Sequence, residues 1–131
     1  MVKPIVFIVE QDELVASALR ALLEDEFDVC LAGWNAHTVN QIHEWAPMVI
    51  LLDLDWSSSP TGEEGIAVLQ HLRQAGHTGK IIVYTAITER RLAVRAIQHG
   101  ACEILNKPLD LTLLKQLVHR VARIADLEQE V

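Results

Sequence analysis

Nothing in this chain is both long and apolar enough to anchor it in a membrane. Crossing a bilayer takes roughly 20 consecutive apolar residues. The first apolar run, Pro4 to Val9, stops at Glu10, Gln11, Asp12 and Glu13. The same run is too short and too quickly acidic for a secretory leader, so the sequence reads as cytoplasmic, with no membrane partner. Positive charge is scarce as well. Lys and Arg total 11 against 18 Asp and Glu, a net charge of -7 that opposes the field of nucleic acid, so no direct nucleic-acid contact is expected. Cysteine is limited to Cys30 and Cys102, each in a short apolar stretch without CxxC or paired histidines; two buried free thiols are expected rather than zinc. His37, His43, His71, His77, His99 and His119 show no ligand spacing and read as solvated or core-rim residues.

What is present is apolar content in an ordered alternation. Half of the 131 residues are hydrophobic, enough for one domain with its own core. Five short runs rich in Val, Ile and Leu read as strands: Ile5 to Val9, Asp28 to Ala32, Met48 to Leu52, Lys80 to Tyr84 and Cys102 to Leu105. Most lack an alternating polar face, which places them in a parallel sheet covered on both sides. Helical patterns separate them. Leu14, Ala18, Leu22 and Val15, Leu19, Leu23 mark the first; Val39, Ile42 and Ala46 the second, closed by Pro47. Ile66, Leu69 and Leu72 mark the third, ended by Gly76, and Leu92, Ala96 and Ile97 the fourth, ended by Gly100. The last helix starts from Asp110 as N-cap and runs through Leu114, Leu117, Val121 and Ile124. The EDE run at 24–26 reads as a solvated helix end. Five βα units with right-handed crossovers make an α/β, doubly wound sheet.

In such sheets, sites form where loops leave the carboxyl ends of the strands. Glu10, Gln11 and Asp12 follow the first strand; Asp53 and Asp55 the third; Thr85 the fourth; Lys107 and Pro108 the fifth. Acids, one hydroxyl and one ammonium should therefore converge on one edge. Hard oxygen ligands, a nucleophilic carboxylate and a cation with a hydroxyl for phosphoryl oxygens make up a Mg²⁺-assisted phosphoryl site.

With these residues in that order, VFIVEQDE, VILLDLD, IIVYTA and ILNKPLD, the chain resembles the receiver domain of bacterial two-component response regulators. The resemblance implies a flavodoxin-like (βα)5 fold with strand order 2-1-3-4-5, and a signalling domain rather than an enzyme, with at most slow autodephosphorylation. It implies that Asp53 accepts a phosphoryl group from a sensor histidine kinase and that Thr85 and Lys107 contact that group. Mg²⁺ would sit on Glu10, Gln11, Asp53 and the backbone carbonyl of Asp55, and the Lys107-Pro108 bond would be cis. GIAVLQHLR, from Gly65, matches the start of the receiver's third helix, so the loop after Asp53, with Trp56, three serines, Pro60 and Gly62, is longer than usual; Trp56 is expected to anchor it on the rim.

Two positions depart from the family pattern. Gln11 stands where the second acid usually binds Mg²⁺; losing a charge at about 4 Å forfeits roughly 4 kcal/mol at an effective dielectric near 20, before relaxation and solvent reduce it, so weakened metal affinity is expected. Asp12, next along, should open the first helix and point elsewhere. Ile104 occupies the place of the Tyr or Phe that follows the threonine in many receivers, and it cannot exchange rotamers in the same way. The alternative for such a chain is a pseudo-receiver that acts without phosphorylation. LLDLDWS also resembles the DxDx(T/V) nucleophile motif of haloacid-dehalogenase-type phosphatases; the acids before Asp53 and the lack of a cap domain argue against it. A flavin-binding domain would need hydroxyls and donors, not acids, after the first strand.

The tail HRVARIADLEQEV continues the last helix with Leu117, Val121, Ile124, Leu127 and Val131. It resembles the coiled-coil linker of NtrC-type AAA+ activators, especially the regulator found with exopolysaccharide and exosortase systems. On that resemblance residues 1–123 are the receiver, and 124–131 begin a helical linker to an output domain, AAA+ and DNA-binding. The implied assembly is a homodimer switched by phosphorylation, with Arg90, Arg91, Arg95, Glu103 and Asp110 supplying complementary charges. The alternative for the tail is a stand-alone regulator with a long final helix.

Overall fold

The computed structural model describes residues 2–56 and 61–129. Five parallel strands, β1 (Ile5–Val9), β2 (Asp28–Ala32), β3 (Val49–Asp53), β4 (Lys80–Thr85) and β5 (Ala101–Asn106), lie in the order β2-β1-β3-β4-β5. They alternate with α1 (Glu13–Leu23), α2 (Thr38–Trp45), α3 (Glu63–Gln74), α4 (Arg90–Gln98) and α5 (Leu111–Gln129). All five expected strands form, within one residue at either end, and the order is the expected 2-1-3-4-5.

The sheet is coated on both faces, which is why its central strands read as unbroken apolar runs. Phe7, Val9, Ile50, Leu52, Ile81 and Val83 pack one way, against Ile42 of α2, Ile66, Leu69 and Leu72 of α3, and Leu92 and Ala96 of α4. Val6, Ile8, Leu51, Ile82 and Tyr84 pack the other way, against Leu19 and Leu23 of α1 and Leu114, Leu117, Val118 and Val121 of α5. The register Val9↔Leu52 and Asp53↔Tyr84 aligns the carboxyl ends of β1, β3 and β4.

Local signals set the helix ends. Asp12 caps α1, its carboxylate accepting from the N–H groups of Leu14 and Val15 at 2.9 and 3.2 Å. Asp110 does the same for α5 through Leu113 N–H at 3.1 Å. Gly76 and Gly100 turn the chain after α3 and α4 at φ 86° and 103°, a region closed to most side chains. Gly65 answers a different need: a Cβ there would lie 2.6 Å from the Leu54 carbonyl oxygen, so α3 seats directly on the backbone that follows β3.

Several expectations on burial are corrected. In α1, residues 15, 16, 19 and 23 face the sheet, so Leu14 is 83% exposed and Ala18 is also on the outside. In α2, Ala46 is exposed in the left-handed conformation, and buried Pro47 follows it. Ile97 of α4 and Ile124 of α5 are exposed, the core stripe of α5 passing instead through Val118, Ala122 and Ala125. Cys30 is half-buried, and Cys102 is exposed because β5 is an edge strand whose register with β4 skips it, Ile81 pairing with Ala101 and Ile82 with Glu103. The EDE run is exposed, but Glu26 pairs with His119 and, at 3.9 Å, with Lys115. Trp56 is half-buried against the α3 side of the core, a rim anchor. The serines and Pro60 of its loop, and the final residues 130–131, lie outside the described residues.

Candidate functional site

The alignment of strand ends brings Glu10, Asp53, Asp55, Thr85 and Lys107 together at one edge of the sheet. Asp53 is the last residue of β3 and only 6% exposed. The Asp55 N–H donates to its Oδ1 at 2.9 Å, as does Lys107 Nζ at 3.0 Å. Burial, reinforced by the nearby Glu10 charge, outweighs both bonds and raises the Asp53 carboxyl to about 6. Lys107 also reaches Asp55 Oδ2 at 3.0 Å. Burial on its own would lower the ammonium, but its bonds to Asp55 and Asp53 hold it above its ordinary value. The Lys107-Pro108 bond is cis, as the resemblance implies.

Asp55 also takes the hydroxyl of Thr85 at 2.5 Å on Oδ1 and the N–H of Ala86 at 2.7 Å on Oδ2. These bonds, together with Lys107, overcome its burial and keep its carboxyl below the usual range. Thr85 is oriented for this: its Oγ1 accepts the N–H of Ile87 at 3.0 Å.

On the β1 side, Glu10 is buried at 7% exposure and held at both oxygens. Its Oε2 accepts the Asp12 N–H at 3.0 Å and its Oε1 the Tyr84 hydroxyl at 2.8 Å. Burial, then the charge and bond of Glu10, push the Tyr84 phenol far above its ordinary value. Sequence reasoning overlooked Tyr84 as a site residue, although the signal was there: a phenol next to the end of an apolar strand, on the same face as buried Ile82, requires an acceptor inside.

Gln11 borders the same cleft but is exposed, and its Oε1 lies against Gly33, 2.5 Å from where a Cβ would stand. Asp12 remains committed to its cap. Ile104 is half-buried and packs with the α3 and α4 side of the core, while Tyr84 fills the opposite face. Among the described residues no group of three or more His, Cys, Asp or Glu side chains is arranged as a metal cage. The donor set nevertheless suits Mg²⁺, which keeps several waters and needs only one or two carboxylates. Glu10 and Asp53 are buried acids close enough for one to raise the other's pKa, and each Glu10 oxygen retains a second lone pair.

A parallel 2-1-3-4-5 sheet whose third strand ends in a buried Asp, bridged to a Lys that follows the fifth, defines a receiver. The chain belongs to the response regulator receiver domain family, which matches residues 6–119. This membership displaces the phosphatase alternative. The chain is similar to the transcriptional regulatory protein KdpE of Staphylococcus aureus (strain NCTC 8325 / PS 47), at 32% identity over 95% of this chain and 52% of that protein. It is also similar to the DNA-binding transcriptional regulator NtrC of Escherichia coli (strain K12), at 29% identity over 92% of this chain and 25% of that protein. The chain thus spans a quarter to about half the length of these relatives. Among solved structures, the signal receiver domain of a putative Luxo repressor protein from Vibrio parahaemolyticus aligns with a TM-score of 0.82 at 27% identity, covering 98% of this chain and 96% of that one. NtrX from Brucella abortus shares the fold, with a TM-score of 0.81 at 19% identity over 98% of this chain and 28% of that one.

Proposed function

We propose that this chain is a phosphorylation-controlled receiver in a two-component pathway, that Asp53 is its phosphoacceptor and that a sensor histidine kinase is its donor. The observation that carries this reading is the Lys107 ammonium placed 3.0 Å from both Asp53 and Asp55, beside the hydroxyl of Thr85. Glu10, Asp53, the Asp55 carbonyl and, more weakly, Gln11 would hold Mg²⁺, which when bound offsets negative charge between acceptor and phosphoryl group. The protein's own part is to bury the acceptor, fix it with the Asp55 N–H and Lys107, and offer Thr85, Ala86 N–H and Lys107 to phosphoryl oxygens. Rearrangement of Thr85 then shifts the loop leading into α4 and the α4–β5–α5 surface.

The rest of the reading concerns the larger protein. α5 continues unbroken to Gln129, past the family match at 119, which supports a helical linker from about residue 124 to a C-terminal output domain that regulates transcription. Cytoplasmic location is consistent with the absence, among the described residues, of any helix long and apolar enough to cross a membrane. A homodimer would use the exposed Val94, Ile97, Leu113 and Ile124. Of the charges assigned to such a contact, Arg95 is engaged by Glu63 and Glu103 lies 3.8 Å from Arg120, while Arg90 and Arg91 are exposed.

Intact mass after incubation with acetyl phosphate, with and without Mg²⁺, tests the reading. One phosphoryl adduct that requires Mg²⁺ and is lost in Asp53→Asn is the expected result. No adduct on folded protein at high Mg²⁺ would leave the pseudo-receiver, a phosphorylation-independent interaction module; Gln11 and the saturated carboxylate of Asp55 are the features that favour it.

A further inference from the structure

We propose that the carboxylate of Asp55 is an internal occupant of the phosphoryl-oxygen subsite, and that it must leave before Asp53 can be phosphorylated. The inference rests on the reading of Asp53 as acceptor, but concerns a side chain to which that reading gives no task, since only the Asp55 backbone carbonyl is assigned to the metal. Three donors of different kinds converge on this carboxylate: the Thr85 hydroxyl at 2.5 Å, the Ala86 N–H at 2.7 Å and the Lys107 ammonium at 3.0 Å. A phosphoryl group on Asp53 needs the same three. Two carboxylate oxygens satisfy all of them, and charge-assisted bonds of this kind are about twice as strong as neutral ones.

Asp55 is two residues from Asp53, and its own N–H is bonded to the acceptor, so its carboxylate is delivered to the subsite at the high local concentration of a tethered ligand. An incoming phosphoryl group competes with an anion already in place. In the transfer itself an Asp53 oxygen bonds to phosphorus and the bond to the donor oxygen breaks. With acetyl phosphate, acetate leaves with the electron pair, and no proton is exchanged with Asp53. At 23% side-chain exposure, Asp55 has open solvent to swing into.

The test compares wild type with Asp55→Ala, which keeps the backbone carbonyl, and with Asp55→Asn, which keeps the shape without the charge. The first readout needs no phosphorylation: inorganic phosphate is titrated while the Ala86 amide is followed by NMR. Half-maximal shift at about tenfold lower phosphate in Asp55→Ala, with Asp55→Asn between, is expected; equal concentrations in all three overturn the proposal. The second readout is the rate of adduct formation from acetyl phosphate at saturating Mg²⁺, expected to rise about tenfold in Asp55→Ala. An unchanged or slower rate, from protein that does form the adduct, also overturns it. If no variant forms the adduct, the acceptor reading fails by itself, and the phosphate titration alone decides whether Asp55 occupies the subsite.

Discussion

The two ends of the sheet hold buried charge in opposite ways. At the amino-terminal end, a single half-buried guanidinium serves only fixed dipoles. Arg73 gives Nη1 to the carbonyls of His77 and Gly79 at 2.9 and 3.0 Å and Nη2 to that of Gly100 at 2.7 Å, tying the end of α3 to the starts of β4 and β5. At the carboxyl-terminal end, Asp53 and Asp55 share one ammonium, with Glu10 close by. At one end the charge is matched by protein carbonyls, and at the other negative charge is in surplus. Surplus of that kind is typical of functional sites, and under the proposed function a cation and a phosphoryl group would be received there.

The strongest way to break this contrast is Arg73→Ala. Three half-buried carbonyls lose a charged donor, so urea denaturation should show a loss of about 3 kcal/mol. Adduct formation at Asp53 should persist under conditions where the variant is folded. Loss of the adduct from folded protein would mean that the two ends are coupled.

A smaller effect, of opposite sign at the two ends, is expected with pH. Burial, then the charge of Arg73, lowers the His77 imidazole to about 4, so its contribution to stability is whole above pH 6.5 and is lost as pH falls towards 4. Asp53, raised from 3.8 to about 6, works the other way: its ionised form penalises the fold fully above pH 6, and the penalty fades as pH falls towards 3.8. Discounted for solvent screening of these partly exposed groups, His77→Gln should therefore gain on the order of 1 kcal/mol relative to wild type on acidification from pH 7 to 4, and Asp53→Asn should lose a similar amount. Melting curves across that range check both; parallel profiles in all three proteins would refute the assignment.

The smallest effect is expected from Gln11→Asp. Restoring a carboxylate on the exposed rim should tighten Mg²⁺ about tenfold, well short of the unscreened Coulomb value, because solvent attenuates the charge. Mg²⁺ titrations of adduct formation read this directly. No change would place Gln11 outside the metal's reach, consistent with its amide lying over Gly33.

Strands and site edge were legible because they depend on composition and sequence order; the strand order 2-1-3-4-5 came from the resemblance. Runs of Val, Ile and Leu require a two-sided cover, and residues one or two positions past such runs must emerge together. What escaped depended on rotation and on side-chain reach. Leu14 looked apolar at a helical spacing, yet the stripe that meets the sheet runs through Ala16, Leu19 and Leu23. Cys102 looked buried, yet a register shift on an edge strand turned it out. At the site, the backbone of Asp55 was assigned but not its carboxylate, because which donors a side chain reaches across 30 residues is fixed by the packed fold alone.

Tyr84 is the sole tyrosine of the chain. Its hydroxyl is sealed in the core against an acid, so in alkali the folded protein should show no phenolate absorbance. Above about pH 10 the unfolded chain ionises while the native one resists, so stability drains away as pH rises. The ultraviolet spectrum then becomes a one-residue gauge: phenolate appears only as molecules open, and a change in the native tyrosine band at neutral pH reports on whatever settles beside Glu10.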